Sequence, residues 1–585
     1  MGFVQPELPV VDQQQWQNSG RSERIRLMAR HWAEVGFGTP VVLHLFYVVK
    51  ICVYILGGWL FALSTSGIDG FTDVGRWWSE PIVFEKAVLY TMLFEVIGLG
   101  CGFGPLNNRY FPPMGSILYW LRPTTIRLPP WPRVVPLTRG TARTPVDAAL
   151  YALLLVVLLW ALLSDGTGPI HALDTTVGLL PAWQVGLVVA VLAVLGLRDK
   201  VIFLAARGEV YGSLAVAFLF GGADAILAAK LVFVVIWMGA ATSKLNRHFP
   251  FVVSTMMSNS PIVRPRWLKR RFFADFPDDL RPGRLSRFVA HSGTAVEMCA
   301  PIVLFFSHGG WPTTVAAVIL VCFHLAILTA IPMGVPLEWN VFMMFGLGVL
   351  FVAHADVGVA DATHPWLPVL LFAVLVAIVI TGNLLPSRIS FLPGMRYYAG
   401  NWDTTVWCIK PSAAQKIDRN IVAIASMPQA QMERYYGKDR AQIPLYLGYA
   451  FRAMNTHGRA LFTLVHRAMP AGREDEYTIT DGERICSTAI GWNFGDGHMH
   501  NEQLIAALQQ RCHFEPGEVR VVLLDAQPIH TQVQAYRLVD AATGEFERGT
   551  VRVADMVESQ PWADNLPVHV TSTAGPAVTD SHPAP

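Results

Sequence analysis

Long apolar segments separated by short polar ones make up the chain from about residue 40 to residue 385. A helix needs roughly 20 apolar residues to cross a bilayer. Ten segments approach this length and are predicted to be membrane-spanning helices: 40–64, 82–104, 147–164, 179–197, 201–220, 225–243, 288–306, 311–331, 335–353 and 366–385. Because Arg207, Gly208 and Glu209 interrupt the segment 201–220, a broken or re-entrant helix is an alternative there.

The pattern changes after Pro386, where charges of both signs replace the long apolar runs. Residues 519–524, 532–539 and 546–553 have the pattern of strands in a hairpin, with a turn at 540–544. Asn501 is predicted to cap a helix that follows it. The predicted organisation is an N-terminal cytoplasmic segment of residues 1–39, a transmembrane domain of residues 40–385, a soluble α+β domain of residues 386–571 and a disordered tail of residues 572–585.

Composition agrees with this pattern, since 52% of the 585 residues are hydrophobic and only 15% are charged. A soluble chain of this length would not need so much apolar surface, so the fold class is a polytopic α-helical membrane protein with a C-terminal soluble α+β domain. The seven cysteines have no paired spacing, which indicates reduced packing residues. The net charge of +2 says little about partners. Membrane lipids are the expected partners, and no nucleic acid is expected.

Charges in the loops predict the orientation. The N-terminal segment has four arginines, the loop 105–147 has six, and the loop 244–287 has ten lysines and arginines. The alternate loops hold a single basic residue, Arg76. Cytoplasmic loops are the ones enriched in lysine and arginine. We therefore expect a protein of the plasma (inner) membrane with both termini in the cytoplasm.

Several charged residues lie inside the apolar segments, where an unpaired charge is expensive. At about 1.5 Å per residue, most of them fall roughly 10 to 15 Å from the cytoplasmic end of their segments. They are Lys50, Glu95, Arg207, Glu209, Glu297 and His324, with Lys230 somewhat deeper. Lys50 and Glu95 are predicted ion-pair partners, whose role is either to hold helices together or to line a polar cavity. Glu297 and His324, close to Lys244, could act as acid and base.

Lys244 ends one apolar segment within the run GAATSKLN at residues 239–246. Taken alone, it could simply extend its ammonium towards the membrane surface. Together with HSGTAVE at residues 291–297 and Phe323-His324, however, this run resembles the horizontally transferred transmembrane domain, the membrane core shared with vitamin K-dependent gamma-carboxylase. In that family the lysine of this element is regarded as the base that deprotonates a hydroquinone. The resemblance implies that Lys244 is the base here.

Two features differ from that family. The large lumenal region that binds the carboxylase's propeptide substrates has no counterpart in this sequence. The loop charges place Lys244 at the cytoplasmic face, whereas carboxylation in that family is lumenal. The whole chain, including RYYAGNWD at residues 396–403, also resembles an uncharacterised family of actinobacterial (mycobacterial) multi-pass membrane proteins.

The densest cluster of polar residues after Pro386 is GWNFGDGHMHNE at residues 491–502. His498 and His500 could reach one metal ion if a third ligand completed the shell, and the alternative is a loop that only caps a helix. No metal site and no cofactor are assigned from the sequence. Two hypotheses of function remain open: an enzyme acting on a quinol or another lipid-soluble substrate, or a non-catalytic transporter or lipid-handling scaffold whose cytoplasmic domain binds a protein partner.

Overall fold

The structure, a computed structural model, describes residues 2–101, 115–330 and 336–573. Helices dominate the chain up to residue 384. They are α1 (Gln13–Asn18), α2 (Arg21–Val35), α3 (Val41–Leu63), α4 (Val74–Trp77), α5 (Pro81–Val96), α6 (Gly115–Trp120), α7 (Pro145–Leu162), α8 (Ala182–Arg198), α9 (Lys200–Ala205), α10 (Ser213–Phe218), α11 (Gly222–Ser243), α12 (Phe249–Asn259), α13 (Arg266–Arg270), α14 (Arg284–Ser307), α15 (Gly310–Ala330), α16 (Leu337–Leu347) and α17 (Trp366–Leu384). A short hairpin, β1 (Phe273–Asp275) and β2 (Asp279–Pro282), precedes α14.

Six of the described helices are long and apolar enough to cross a membrane, namely α3, α7, α11, α14, α15 and α17. Each coincides with a segment predicted from the hydrophobic pattern. The helix α11 is the most enclosed of them, with 83% of its most apolar window buried, whereas the corresponding share of α3 is 11%. The helix α11 therefore lies at the centre of the bundle, and α3 presents most of its apolar surface outward.

The other four predicted spans are also helical but are shorter or broken. The helix α8 and the stretch Leu337–Ala353, in which α16 continues as the π-helix Gly348–Ala353, are shorter apolar helices. The helix α5 has 16 residues, and all of them except Ala87 are buried; residues 102–104 of that predicted span lie outside the described residues. The segment 201–220 is divided into α9, the π-helix Gly208–Gly212 and α10.

The break in segment 201–220 occurs at Arg207, which agrees with the broken helix given as an alternative for this segment. Arg207 has a φ of 51°, a left-handed conformation that ends an α-helix. The π-helix that follows widens the turn around Glu209. Such bulges are frequent at functional positions in helices. The chain thus places two buried charges at an irregular point in the middle of the bundle.

The C-terminal region contains a six-stranded antiparallel sheet in the order β4-β3-β5-β6-β7-β8. Its strands are β3 (Thr404–Ile409), β4 (Thr478–Asp481), β5 (Val519–Leu524), β6 (Val533–Asp540), β7 (Gly544–Arg552) and β8 (Val568–Thr573), and its helices are α18 (Pro411–Asn420), α19 (Pro428–Tyr436), α20 (Gln442–Met454), α21 (Thr456–Ala468), α22 (Gly482–Ala489), α23 (Glu502–Cys512) and α24 (Val553–Glu558). The strand at residues 519–524 and the next two agree with the alternating pattern. Asn501 caps α23, because its side chain accepts a hydrogen bond from the backbone amide of Gln503 at 3.1 Å.

The sheet region packs directly against the helical part. Trp120 donates its indole hydrogen to the backbone oxygen of Ile490 at 3.1 Å, and Lys200 donates to that of His498 at 2.7 Å. On the other side, α2 packs on α20 through a core that contains Trp32 and Leu447. The N-terminal segment and the sheet region therefore form continuous cores with the helical bundle. Of the predicted tail, residues 572 and 573 end β8, and residues 574–585 lie outside the described chain.

Candidate functional site

Lys244 and Glu297 form a buried ion pair between the end of α11 and the middle of α14. The Nζ atom of Lys244 contacts Oε2 of Glu297, and each side chain is only 7% exposed. The rings of Phe249 and Phe323 lie 5.5 and 6.0 Å from Nζ, measured to their centroids. The aromatic faces exclude water from the pair, which strengthens the attraction between the two charges. The sequence predicted that these two residues would lie near each other, and the structure brings them into direct contact.

His324 has its own set of hydrogen-bond partners. The indole nitrogen of Trp237 lies 3.1 Å from Nε2, and Oδ1 of Asn340 lies 2.9 Å from Nδ1. Asn340 donates its amide hydrogen to the backbone oxygen of Pro336 at 2.7 Å, which turns its oxygen towards the imidazole. Because an indole N–H can only donate, Nε2 must accept, and Nδ1 carries the proton. These partners therefore select a neutral imidazole with one defined tautomer.

Lys50 does not pair with Glu95 as predicted. Its Nζ atom lies 2.7 Å from Oε2 of Glu338 on α16 and donates a hydrogen bond to the backbone oxygen of Gly100 at 3.0 Å. Glu95 instead accepts a hydrogen bond from the backbone amide of Cys101 at 2.8 Å. The prediction rested on the similar depth of Lys50 and Glu95 in the membrane. Depth does not say towards which neighbour each side chain points, and here the rotation of α16 decides the partner.

Glu95, Cys101 and Glu338 form a compact group of possible metal ligands. One ligand atom from each lies within 4.8 Å of the other two, and all three residues are buried. Two carboxylates and a thiol match the ligand preferences of a divalent transition metal. The ammonium of Lys50 already balances the charge of Glu338 in this arrangement. Sequence reasoning treated Cys101 as a packing residue and did not single out Glu338.

Arg207 lies among aromatic rings contributed by both parts of the protein. Its guanidinium donates to Oε1 of Glu209 at 2.7 Å. The centroids of Trp339, Tyr397 and Phe494 lie 4.6, 5.4 and 5.1 Å from its central carbon. Stacking on aromatic faces compensates part of the solvation that a buried guanidinium loses. Arg207 and Glu209 were predicted as intramembrane charges, but the contribution of Phe494 from the C-terminal region was not foreseen.

Three consecutive residues of α16 reach three different buried polar groups. Successive helical side chains point about 100° apart, so neighbours in sequence face different partners. The contacts join Glu338 to Lys50, Trp339 to Arg207 and Asn340 to His324. Sequence reasoning passed over this stretch. The available signal was a carboxylate and an amide in the first turn of an otherwise apolar segment.

Lys230 lies towards the opposite end of α11 from Lys244. Its Nζ atom donates to the backbone oxygens of Val357 and Ala355 at 2.6 and 3.3 Å. Near the start of the same helix, the carboxylate of Asp224 accepts a hydrogen bond from the backbone amide of His364 at 2.9 Å. Both charges hold the connection between the π-helix Gly348–Ala353 and α17. These contacts are compatible with the structural role predicted for Lys230.

His498 and His500 have separate environments. His498 lies 3.3 Å from Oδ2 of Asp403 and 3.0 Å from the backbone oxygen of Pro386. Burial lowers the pKa of His498, but the Asp403 carboxylate outweighs burial, so this pKa is raised overall. His500 lies 2.8 Å from Oγ1 of Thr405, and burial lowers its pKa to about 4. Neither histidine belongs to a group of three ligating side chains within residues 2–101, 115–330 and 336–573.

Several membrane-length apolar helices, with charged side chains paired inside the bundle, define a polytopic membrane protein. Family comparison agrees with that class. The chain belongs to the family described as transmembrane protein of unknown function (DUF3556), whose family model matches residues 1–571. Comparisons with curated proteins and with solved structures found no match. The membrane class is thus established, and the activity has to be argued from the site.

Proposed function

We propose that the protein is a membrane enzyme that transfers a proton from a lipid-soluble substrate, a quinol or another lipid with an acidic hydroxyl, at the pair Lys244–Glu297. In this proposal the ten apolar segments cross or enter the plasma (inner) membrane, and both termini are cytoplasmic. The C-terminal α+β region then forms a domain on the cytoplasmic side, where it covers the end of α11 that carries Lys244.

The observation that carries the proposal is the direct contact between the ammonium of Lys244 and the carboxylate of Glu297 in a buried position. Two full charges lose much of their hydration there, which lowers the cost of converting the ion pair into a neutral amine and a carboxylic acid. Passing one proton from Nζ to Oε2 produces that neutral pair without moving a heavy atom far. The free amine can then accept a proton from a substrate hydroxyl, which leaves the substrate as its anion.

His324 acts in this scheme as a positioning residue. Its Nε2 atom already accepts from Trp237, so it could take up a proton only after losing that hydrogen bond. Because the ring is neutral, it adds no positive charge beside Lys244. The resemblance of residues 239–246 to the gamma-carboxylase core supports a quinol as the substrate class. A general base of this kind contributes typically 10²- to 10⁴-fold to a rate.

A non-catalytic transporter or lipid-handling scaffold is the second candidate. The observation that favours it is the further buried polar cluster around Lys50, Glu95 and Glu338, since a transport path needs several polar positions. Transport would require these charges to be reached alternately from the two faces of the membrane. Under this alternative the C-terminal region would bind a cytoplasmic protein partner.

The test is to purify the protein in native-lipid discs and to identify and count the bound quinones and lipids by mass spectrometry. We compare the parent with Glu297→Gln and with Lys230→Met, which removes a buried ammonium elsewhere on α11. The proposal expects one lipid-soluble ligand with an ionisable hydroxyl per chain, lost from Glu297→Gln and retained in Lys230→Met. Equal retention in all three proteins contradicts a ligand at Lys244. Uptake of a labelled ligand into sealed vesicles by Glu297→Gln at the parental rate supports the transporter instead.

A further inference from the structure

A cavity of about 590 Å³ lies beside the first turn of α3, apart from the buried charges described above. Val41 and His44 of that turn line it on one side, and Ser260, Arg264 and the first residue of α13, Arg266, line it on the other. Lys269, from α13 itself, completes its basic lining. Because α3 is a membrane-length apolar helix that begins at Val41, the cavity lies at the level where the bilayer meets water.

The charges of the cavity leave an excess of positive groups. Its two carboxylates are already paired, Glu7 with Arg266 at 3.5 Å and Glu34 with Arg270. Arg264 and Lys269 form no ion pair with a carboxylate in the described part of the chain. Lys269 donates to the backbone oxygen of Ser258 at 2.5 Å, which keeps its ammonium in place. A guanidinium and a fixed ammonium around one cavity suit a phosphate group.

The surroundings of the cavity suit the rest of a lipid. Ile262 and Trp267, on the same chain segment as Arg264, are 68% and 60% exposed. Apolar and tryptophan side chains beside arginines are typical of segments that insert into the membrane interface. On α3, Leu45 and Val48 are 53% and 57% exposed and continue the helix face that starts with Val41 and His44. An acyl chain can follow this apolar stripe away from the cavity.

From these observations we infer that the cavity binds the phosphodiester head group of an anionic membrane phospholipid, with Arg264 and Lys269 on the phosphate and one acyl chain along α3. The net positive charge of the lining favours anionic, phosphatidylglycerol-like lipids over zwitterionic lipids with a quaternary ammonium. The carboxylates of Glu7 and Glu34 can also accept hydrogen bonds from hydroxyl groups of such a head group. This site is separate from Lys244 and does not depend on the function proposed for it.

The experiment uses full-length protein in discs of phosphatidylcholine with a minor fraction of phosphatidylglycerol, and native mass spectrometry counts the lipids retained. The parent should retain phosphatidylglycerol in excess of its share in the disc. Arg264→Gln should reduce this excess about fivefold, the effect of one basic side chain near the membrane surface. Arg287→Gln, an exposed arginine of the same basic stretch outside the cavity, should leave it unchanged.

Melting temperatures of the variants in the same discs show that each is folded, and Arg264 is exposed enough for its replacement to be tolerated. Retention of the two lipids in proportion to the disc overturns the site, as does an equal loss in Arg264→Gln and Arg287→Gln. A third arm adds inorganic phosphate. Displacement of the lipid by millimolar phosphate would mean that the cavity binds the free anion, and it would overturn the assignment to a lipid.

Discussion

Lys50 on α3 and Glu338 on α16 form an ion pair of 2.7 Å that joins the least enclosed spanning helix to a helix inside the bundle. Both side chains are almost fully buried, at 7% and 1% exposure. Burying two charges costs hydration energy that their attraction repays only while both are present. The pair therefore acts as a constraint on which face of α3 meets the bundle.

This relationship predicts a strong non-additivity. Lys50→Met and Glu338→Leu should each destabilise the protein by about 3 to 5 kcal/mol, because each leaves one charge buried without its partner. The double variant should be less destabilised than the sum of the two, and it should regain expression. Unfolding in a detergent series measures the three effects. Lys50→Met combined with Glu297→Gln is the control, since those two residues belong to different ion pairs and their effects should add.

The ion pair of Lys50 also shows which features of the structure could be predicted from the sequence and which could not. The six long helices and the strand at residues 519–524 followed from hydrophobic periodicity, which is a local property. The proximity of Lys244 to Glu297 was predicted from their positions on neighbouring apolar segments. The orientation of a helix about its own axis, however, depends on packing along its whole length, and depth carries no information on it. For this reason Glu95 was predicted as the ion-pair partner of Lys50, whereas the partner in the structure is Glu338.

Contacts between parts of the chain that are distant in sequence could not be predicted either, because they also depend on packing. The position of Phe494 against Arg207 requires the C-terminal region to pack on the broken segment between α9 and α10. No local pattern near residue 494 indicates that contact. The break itself was predictable, because a charge pair with a glycine inside an apolar run is a local signal. Sequence thus indicated where the bundle is irregular but not what covers the irregularity.

The two ends of α11 predict the sides of the membrane on which two loops lie. Asp224, in the first turn of that helix, accepts a hydrogen bond from the backbone amide of His364 at 2.9 Å, whereas Asn246, just beyond the other end, donates to the backbone oxygen of Ala399 at 3.1 Å. Residues 355–364 and the chain after Pro386 should therefore lie on opposite faces. A cysteine at exposed position Ala360, in a background without Cys52, Cys299 and Cys322, should react with an impermeant reagent from outside the cell.

The matching experiment fuses a reporter after Pro386, and the activity of this reporter distinguishes the cytoplasm from the periplasm. The fusion should behave as cytoplasmic. Periplasmic activity of that fusion would contradict the orientation inferred from the loop charges. Labelling at Ala360 from outside together with periplasmic activity of the Pro386 fusion would place both positions on one side of the membrane. That result would contradict the structural argument as well. A cysteine at exposed Arg287, on the cytoplasmic side in this topology, is the negative control for labelling of intact cells.

His248 predicts a loss of stability in acid. Gln527 donates its amide hydrogen to the backbone oxygen of Thr531, which turns Oε1 towards Nε2 of His248 at 2.7 Å. Thr456 lies 2.5 Å from Nδ1, so both nitrogens of a neutral ring are used. Burial lowers the pKa of His248 from 6.5 to about 4. Between these values only the unfolded chain binds the proton, so stability is complete above pH 6.5 and falls as the pH decreases towards 4.

Each pH unit in this range removes about 1.4 kcal/mol through His248. Asp525 acts in the opposite direction, because burial raises its pKa to about 7 and the folded state takes up its proton first. The comparison is therefore made between proteins. His248→Gln should melt lower than the parent at pH 7.5 and should lose less on transfer to pH 5.5. The exposed His569→Gln should behave as the parent does. Parallel curves for parent and His248→Gln would show that His248 does not titrate as stated.

Lys244 is the position at which a structural lysine and a base differ most clearly. Lys244→Arg preserves the positive charge and can still contact Glu297, so a lysine that only holds α11 against α14 is replaced with little effect. A base must release its proton, and a guanidinium does not do so at accessible pH. If Lys244 is a base, Lys244→Arg should leave expression and melting temperature near those of the parent. It should nevertheless fail to complement a deletion strain that the parental gene complements.

Two further variants make that result specific to the proton. Lys244→Met should lower the melting temperature, because Glu297 is left as a buried charge without its partner. Lys244→Met combined with Glu297→Gln should recover stability without recovering function. If Lys244→Arg complements the deletion fully, Lys244 is not a base, and the transporter or scaffold becomes the better account of the buried charges. If the double variant also complements, the ion pair is dispensable and the activity lies elsewhere in the bundle.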